Sequence, residues 1–504
     1  MNPLLNGMKN VTNYAYTENG ALTHKSTMSS LLDLFAMGAA YRTRSDEDCI
    51  FLFKKAFEED EIHALKCLFY LRDVRGGQGE RRFFRVVTRW LADYQTDAMR
   101  RNLEFVPEFG RWDDLYEFIG TKLEENAFEL MRKQLMLDVQ CKTPSLLAKW
   151  LKSENTSSSK SRELANKTRQ AFHMNHKEYR KTLSVLRERI KVLERLMSEN
   201  RWEEIEFDKI PSKAGLVYRN AFARRDMIKA KYEHFMKDEK TTVNAGTLYP
   251  YEVVAKAYNF TYSSYSYSYY SHKFEFEDNF SSTERAAINK YWNNLTDYFN
   301  GCSLDALCMI DTSGSMWGCE ASAPINVAIS IGLYAAERAR GPFAGHYISF
   351  SSRPQLIETA GVDFVDKVRR IYSTNLCDNT NIEAAFDMVL NTALRNHCTQ
   401  DDLPKSIIVV SDMEFDAQRG YYGSRNGTLM ENIERKWNQA GYKMPNLVYW
   451  NVQARQNNIP MTVKDGVSYV SGFSPVIFEQ VMKGKTAFDL MLDKLDSERY
   501  ACIK

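Results

Sequence analysis

The stretch MIDTSGSMWG, residues 309 to 318, follows the apolar residues Ala306, Leu307 and Cys308 and decides the fold class of the second half of the chain. An apolar run of this length without polar interruption reads as a strand buried on both faces. It ends on Asp311, Ser313 and Ser315, three hard oxygen donors at alternate positions, which suit a divalent cation such as Mg²⁺ better than a core.

Working outward, strand and helix alternate from about residue 303. Leu304 to Ile310, His346 to Ser351, Ser406 to Val410, Asn446 to Val452 and Val467 to Val470 read as strands. Ile325 to Arg340, Asn381 to Arg395, Leu429 to Gln439, Pro475 to Met482 and Thr486 to Leu495 read as helices. This predicts a parallel sheet covered on both faces, with ligands held beyond the carboxyl ends of its strands. Two further loops meet that edge. Asn379-Thr380-Asn381 offers Thr380, either as another hydroxyl donor or as a helix cap, and SIIVV runs into Ser411-Asp412, a second carboxylate. Three loops thereby offer five oxygen-bearing side chains.

In that order and on those elements, Asp311, Ser313, Ser315, Thr380 and Asp412 resemble the metal-ion-dependent adhesion site of a von Willebrand factor A domain, over about residues 303 to 500. The resemblance implies a doubly wound, Rossmann-like α/β domain holding Mg²⁺, or Mn²⁺ or Ca²⁺, through these five residues, Asp412 directly or through water. A partner's acidic side chain would complete the shell. One departure is the loop CDNTN, residues 377 to 381, where many members carry a Gly pair before the Thr.

The first 240 residues have a different grammar. Ser30 to Met37, Asp60 to Leu71 and Tyr179 to Ile190 place apolar residues three and four apart, the spacing of one buried helical stripe. Many helices with tight joints predict an α-solenoid. Between the halves, residues 241 to 302 include NFTYSSYSYSYYSHKFEFEDNF, whose period-2 alternation reads as strand or packed loop.

Composition sets the outer limits. The 504 residues, 44% apolar and 26% charged, predict two or three globular domains. No apolar run is long enough to cross a membrane as a helix, and the start lacks the order of a secretory signal. Nine cysteines without CxxC pairs, Cys67 and Cys308 among them inside apolar runs, favour free thiols and a reducing cytoplasm. The net charge is only +2, but residues 141 to 240 carry 24 Lys and Arg against 14 Asp and Glu, and residues 301 to 504 carry 20 against 23. The positive charge gathers in the helical half.

That half has its own resemblance. RDVRGGQGERRFFR at 72 to 85, VPEFGRWDDL at 106 to 115 and LLAKWLKSENTSSSKSREL at 146 to 164 resemble the TROVE module of the Ro autoantigen, and especially a group of viral, plant and other proteins that join such a module to an A domain. NLVYWNV and VSGFS match the same group. The resemblance implies HEAT-like helices in a ring or arc that binds small non-coding or misfolded RNA. The candidate contacts are Arg75, Arg81, Arg82 and Arg85 around the glycine joint at 76 to 79, Lys149, Lys152, Lys160 and Arg162 around SENTSSS, and Lys213, Arg219, Arg224 and Arg225 after Pro211.

No GxSxG elbow is present and His346 and His397 stand without a motif, so a binding protein rather than an enzyme is expected. The expected protein is a cytoplasmic monomer, in the host cytoplasm if viral, which binds RNA on its helices and recruits an acidic protein partner at the metal. The alternative is a protein-interaction scaffold acting through the metal site alone.

Overall fold

The computed structural model describes residues 12–257, 265–268, 273–276, 280–299, 305–318, 320–350, 353–374, 379–417, 427–461, 463–464, 466–478 and 486–504. The chain forms two compact units. One contains residues 1–64 and 245–498, the other residues 65–244 and 499–504. The breaks thus fall at 64/65, 244/245 and 498/499, where the sequence grammar puts them at about 240 and 303.

The first unit is built on a six-stranded sheet. Its strands are β5 (Ala306–Asp311), β6 (His346–Phe350), β7 (Gln355–Glu358), β8 (Ser406–Ser411), β9 (Asn446–Asn451) and β10 (Val467–Ser471), with spatial order β10-β9-β8-β5-β6-β7. All neighbours are parallel except the edge pair β6 and β7. Every residue of β5 and β10 is buried, because a parallel sheet has helices on both faces. The helix Pro324–Arg338 lies against β5 so closely that a Cβ on Gly332 would stand 1.8 Å from Cδ1 of Ile310. The chain leaves β5 for β6 on one side and returns later to β8 on the other. The crevice between the carboxyl ends of β5 and β8 is therefore the topological switch point, where such sheets bind ligands.

The first 64 residues join this unit because their apolar faces are spent on it. Two short antiparallel strands, β1 (Tyr14–Tyr16) and β2 (Leu22–His24), are followed by the helix Ser30–Met37, whose Leu31, Leu34, Phe35 and Met37 are buried. Ser471 at the end of β10 donates its hydroxyl to Phe35 O and accepts from Ala39 N, while Ala454 N donates to Ala40 O and His24 pairs with Ile459. This packing covers the β10 edge of the sheet, which would otherwise present unpaired backbone groups. Within the tyrosine-rich segment, β3 (Tyr265–Ser268) and β4 (Lys273–Phe276) pair as an antiparallel hairpin, as the alternation predicts. The rest of that segment up to residue 279, Cys377 and Asp378 of the CDNTN loop, and residues 479–482 of the helix expected over 475–482 lie outside the described residues, while Pro475–Ile477 form one 3-10 turn.

The second unit is helical, including Arg82–Tyr94, Glu124–Gln140, Ser159–Ala171, His176–Arg189, Ser212–Arg224 and Asp226–Lys237. Starts follow capping chemistry: Ser158 accepts from Ser161 N, and Asn175 and Glu178 form a reciprocal capping box. A buried charge network ties the helices together. Arg72, 2% exposed, forks onto Asp114, and Arg85 reaches Asp113, Asp114 and Glu117. Among the described residues Cys49, Cys67, Cys141, Cys308, Cys398 and Cys502 are free thiols, and no helix is long and apolar enough to cross a membrane.

Candidate metal centre

Each carboxylate of the site sits at the end of a central strand. Asp311 is the last residue of β5, and Asp412 follows the last residue of β8, so neighbouring strands deliver both to the same crevice. Asp311 is fully buried, and Ser313, Thr380 and Asp412 are each 1% exposed. Asp311 Oδ1 accepts from Ser313 N at 2.9 Å, and its Oδ2 accepts from the Ser411 hydroxyl at 2.5 Å. The Ser313 and Ser315 hydroxyls are 3.2 Å apart. Asp412 Oδ1 accepts from Glu414 N at 3.2 Å, whereas its Oδ2 is buried without a hydrogen-bond donor.

Thr380 is spared the capping role. Asn381 caps the helix Ile382–Arg395 by accepting from Ala384 N at 3.1 Å, and the Thr380 hydroxyl instead accepts from Asn19 Nδ2 at 3.3 Å. Thr380 O accepts from Asp416 N at 3.0 Å, which binds the Thr380 loop to the loop after β8. The structure thus brings Asp311, Ser313, Ser315 and Asp412 into one contact set and stitches Thr380 to its margin through Asn19.

Electrostatics mark the crevice as short of positive charge. Burial, then the nearby charge of Asp412, pushes the Asp311 carboxyl up to about 7. Burial raises Asp412 as well, against the pull of the Ser315 hydroxyl and of Arg455. Two buried carboxylates that disfavour each other's ionisation, with one oxygen lacking a hydrogen bond, form a site that a hard cation would relieve. The donor set of two carboxylates and three hydroxyls suits Mg²⁺, which keeps several waters. Among the described residues no group of three or more His, Cys, Asp or Glu is arranged to hold a metal, so the hydroxyls are indispensable to this fit.

Three further residues lie near the site, of which Glu414 follows close behind Asp412 in SDMEFD. Arg455, beyond β9, has its Nε 3.6 Å from Asp412 Oδ2, and its Nη2 donates to Ser315 O at 2.6 Å. Burial pushes Glu414 up to about 7, and its carboxylate accepts from Asn458 Nδ2 and from Glu18 N, both at 2.7 Å. A signal for Arg455 exists: the rule that ligands gather at strand carboxyl ends applies to NLVYWNVQAR as well as to SIIVVSD. Glu18 has no such signal, being about 400 residues distant in sequence.

The candidate RNA contacts divide. Arg75, Arg81, Lys160, Arg162, Lys213, Arg224 and Arg225 are exposed, and Arg82, Lys149 and Lys152 are half-buried. Arg85 and Arg219 depart from the phosphate-facing expectation. Arg85 is drawn into the Asp113–Asp114–Glu117 network, and Arg219, 6% exposed, donates to Leu216 O. An aspartate pair within reach outcompetes solvent for a guanidinium. The glycine joint is likewise consumed internally. Gln78 N, Gly79 N and Glu80 N donate to Tyr70 O, Asp73 O and Leu71 O, and Glu80 accepts from Arg82 N at the start of the next helix. These amides are therefore not free for phosphate. Lys149, Lys152, Arg180 and Arg187 line a cleft of about 860 Å³ together with Trp150 and Tyr179.

The chain matches the family described as a domain of unknown function, DUF2828, over residues 17–162 and 138–302, more than half its length, and it belongs to that family. Residues 305–500 match a second one, the domain of unknown function DUF7788. The chain is 27% identical over 521 residues to the uncharacterized protein L728 of Acanthamoeba polyphaga mimivirus, covering 94% of this chain and 86% of that one. It also aligns with the crystal structure of the Ro (RSR) protein of Deinococcus radiodurans at 12% identity, over 94% of this chain and all of that one, with a TM-score of 0.38.

Proposed function

We propose that the α/β unit is a cation-dependent adhesion module of the von Willebrand A kind, which captures a carboxylate of a protein partner. The observation that carries this reading is the buried Asp311–Asp412 pair at the switch point of the sheet, with Oδ2 of Asp412 holding no hydrogen bond and only Arg455, at 3.6 Å, as a charge partner. Asp311, Ser313, Ser315, Thr380 and Asp412 would hold Mg²⁺, or Mn²⁺ or Ca²⁺. The bound ion would supply an open coordination position for an acidic ligand. Around it the chain's own groups act as positioners: Ser411 and the Ser313 amide fix both oxygens of Asp311, and Asn19 fixes the Thr380 hydroxyl. Glu414 is engaged by Asn458 and the Glu18 amide and the Glu18 carboxylate by Arg455, which leaves Asp311 and Asp412 as the acids facing the cation and favours binding over hydrolysis.

The helical unit is read as the RNA-binding part. The surplus of 24 basic over 14 acidic residues in 141–240 favours it, as does the outward placement of Arg81, Lys160, Arg224 and Arg225. The HEAT-like ring belongs to this proposal.

Isothermal titration of Mg²⁺ into the metal-stripped full chain tests the adhesion site. Saturable binding that Asp311→Ala removes is expected, and absence of binding by the unaltered chain refutes the reading. For RNA, the purified chain should retain nucleic acid absorbing at 260 nm and lose it steeply with salt. Retention unchanged after Arg81, Lys160, Arg224 and Arg225 are all reversed to Glu would exclude that surface.

A further inference from the structure

The metal reading leaves Arg455 and Glu18 unexplained. Arg455 stands beyond the carboxyl end of β9, and its guanidinium touches three things. Nη2 donates to Ser315 O at 2.6 Å, Nε lies 3.6 Å from Asp412 Oδ2, and Nη1 donates to Glu18 Oε2 at 3.1 Å. One arginine thus joins a hydroxyl loop and a carboxylate of the crevice to an acid from the other end of the sequence.

Glu18 lies in the turn between β1 and β2, and the backbone of that turn is sewn to the loops of the site. Thr17 donates its hydroxyl to Phe415 O at 2.7 Å, and Glu18 N donates to Glu414 Oε2. Asn19 Nδ2 donates to Glu414 O and Thr380 Oγ1, and Asn19 O accepts from Ala417 N. The side chain of Glu18, by contrast, is 41% exposed, with Arg455 as its partner. The backbone is held and the carboxylate is left able to turn away. A turn fixed this firmly beside a cation site, carrying an acid at its tip, presents the chemistry that the site is read to capture.

We infer that Arg455 is a second anchor for the captured carboxylate, and that Glu18 is a resident stand-in which an incoming acidic group must displace. The inference rests on the metal reading of the preceding section. A guanidinium offers parallel N–H donors in the plane a carboxylate prefers, and its Ser315 bond holds that plane at the hydroxyl loop. The bound acid would lie between cation and guanidinium, which selects carboxylate ligands over neutral ones. Glu18 then sets a threshold, because each capture event must break its pair with Arg455.

The test uses the full chain, with Mg²⁺ binding measured first by calorimetry. A fluorescein-labelled hexa-aspartate peptide is then titrated at saturating Mg²⁺ and followed by anisotropy. Glu18→Gln, which alters only a half-exposed side chain, should tighten the peptide about two- to fivefold, the equilibrium worth of a part-exposed ion pair. Arg455→Gln should weaken it by about tenfold or more, as loss of a charged hydrogen bond does, with each protein held at its own saturating Mg²⁺ concentration. Arg455→Lys, which keeps the charge and loses the fork, should fall between them. Normal Mg²⁺ binding with peptide affinity unmoved by Glu18→Gln overturns the stand-in, and affinity unmoved by Arg455→Gln overturns the anchor. No peptide binding by any of these proteins with Mg²⁺ bound overturns both. If the unaltered chain binds no Mg²⁺, the metal reading itself falls.

Discussion

Replacing Asp311 with Asn should stabilise the metal-free protein, contrary to the usual result of altering a buried, hydrogen-bonded residue. The Asp311 carboxyl is pushed from 3.8 up to about 7 by burial and the charge of Asp412. Each pH unit of that rise is worth ~1.4 kcal/mol, so holding the group ionised above pH 7 costs a few kcal/mol. Asn keeps the acceptor used by Ser313 N, loses the one used by the Ser411 hydroxyl and removes the charge, so on the order of 1–2 kcal/mol should return, or a few °C in the midpoint of a domain of this size. The sign with pH follows from proton binding. Between about pH 4 and 7 the folded state binds a proton that the unfolded state does not, so metal-free stability falls as pH rises through that window, by up to ~1.4 kcal/mol for each pH unit. The Asn variant should lose the share of that fall due to Asp311 and keep only what the raised Asp412 and Glu414 carboxyls contribute. Mg²⁺ at a hundredfold its dissociation constant should add about 2.7 kcal/mol to the unaltered chain and little to the variant. Scanning calorimetry of the full chain from pH 5 to 8, in chelator and in Mg²⁺, reads all three effects. A variant less stable than the parent in chelator at pH 7.5, or a parent indifferent to both pH and Mg²⁺, would refute the electrostatic account.

Other expectations follow from packing and buried charge. Arg72→Met leaves Asp114 buried with part of its partner set gone, and the helical unit should lose about 3–5 kcal/mol in urea unfolding. Gly77→Ala places a Cβ 2.0 Å from Tyr70 O, a backbone atom with nowhere to retreat, so soluble expression should drop and any folded protein should lose about 3 kcal/mol. Gly332→Ala meets the flexible end of Ile310 instead, and a cost of about 1–3 kcal/mol should be partly recovered by adding Ile310→Val. Absence of that recovery would place the strain elsewhere.

What can be read from the sequence depends on how local the determining contacts are. The central strands stand out because both faces are buried, which forces continuous apolar runs such as Ile407–Val410. The helix Leu429–Gln439 is legible to the residue, helped by a Thr428–Glu431 capping box. β7 gives no such signal because Gln355–Glu358 is short and buries only Ile357. The hairpin at residues 14–24 escapes sequence reasoning for a related cause: its three-residue strands have no pattern of their own and are fixed by partners such as Phe415 and Ile459. The helix Phe364–Thr374 is absent from the sequence-based elements although its spacing is amphipathic. At the candidate site, the placement of Asp311, Ser313, Ser315 and Asp412 beyond two strand ends is legible because those strands are strong, and Thr380 lies at the margin of that set, before a strong helix. The outward reading of Arg85 fails because no local pattern announces that Asp113 and Asp114, about 30 residues on, will claim it.

The crevice also bears on why such a costly arrangement persists. Nothing in sheet formation asks for acids at these positions. β6, the other neighbour of β5, ends in Phe350, which is fully buried and apolar, and an apolar pair in place of Asp311 and Asp412 would satisfy the same register. Two buried acids sharing a single arginine are retained where they do work that an apolar pair cannot. The surrounding bonds point the same way. Ser411, Asn19 and Asn381 each take up a group that would otherwise compete for or misplace a donor: Ser411 fixes Asp311, Asn381 releases Thr380 from capping, and Asn19 turns its hydroxyl. A sheet that needed only to fold would have no use for that support, whereas the donors of the proposed cation site would need it to converge on one ion within a few tenths of an ångström.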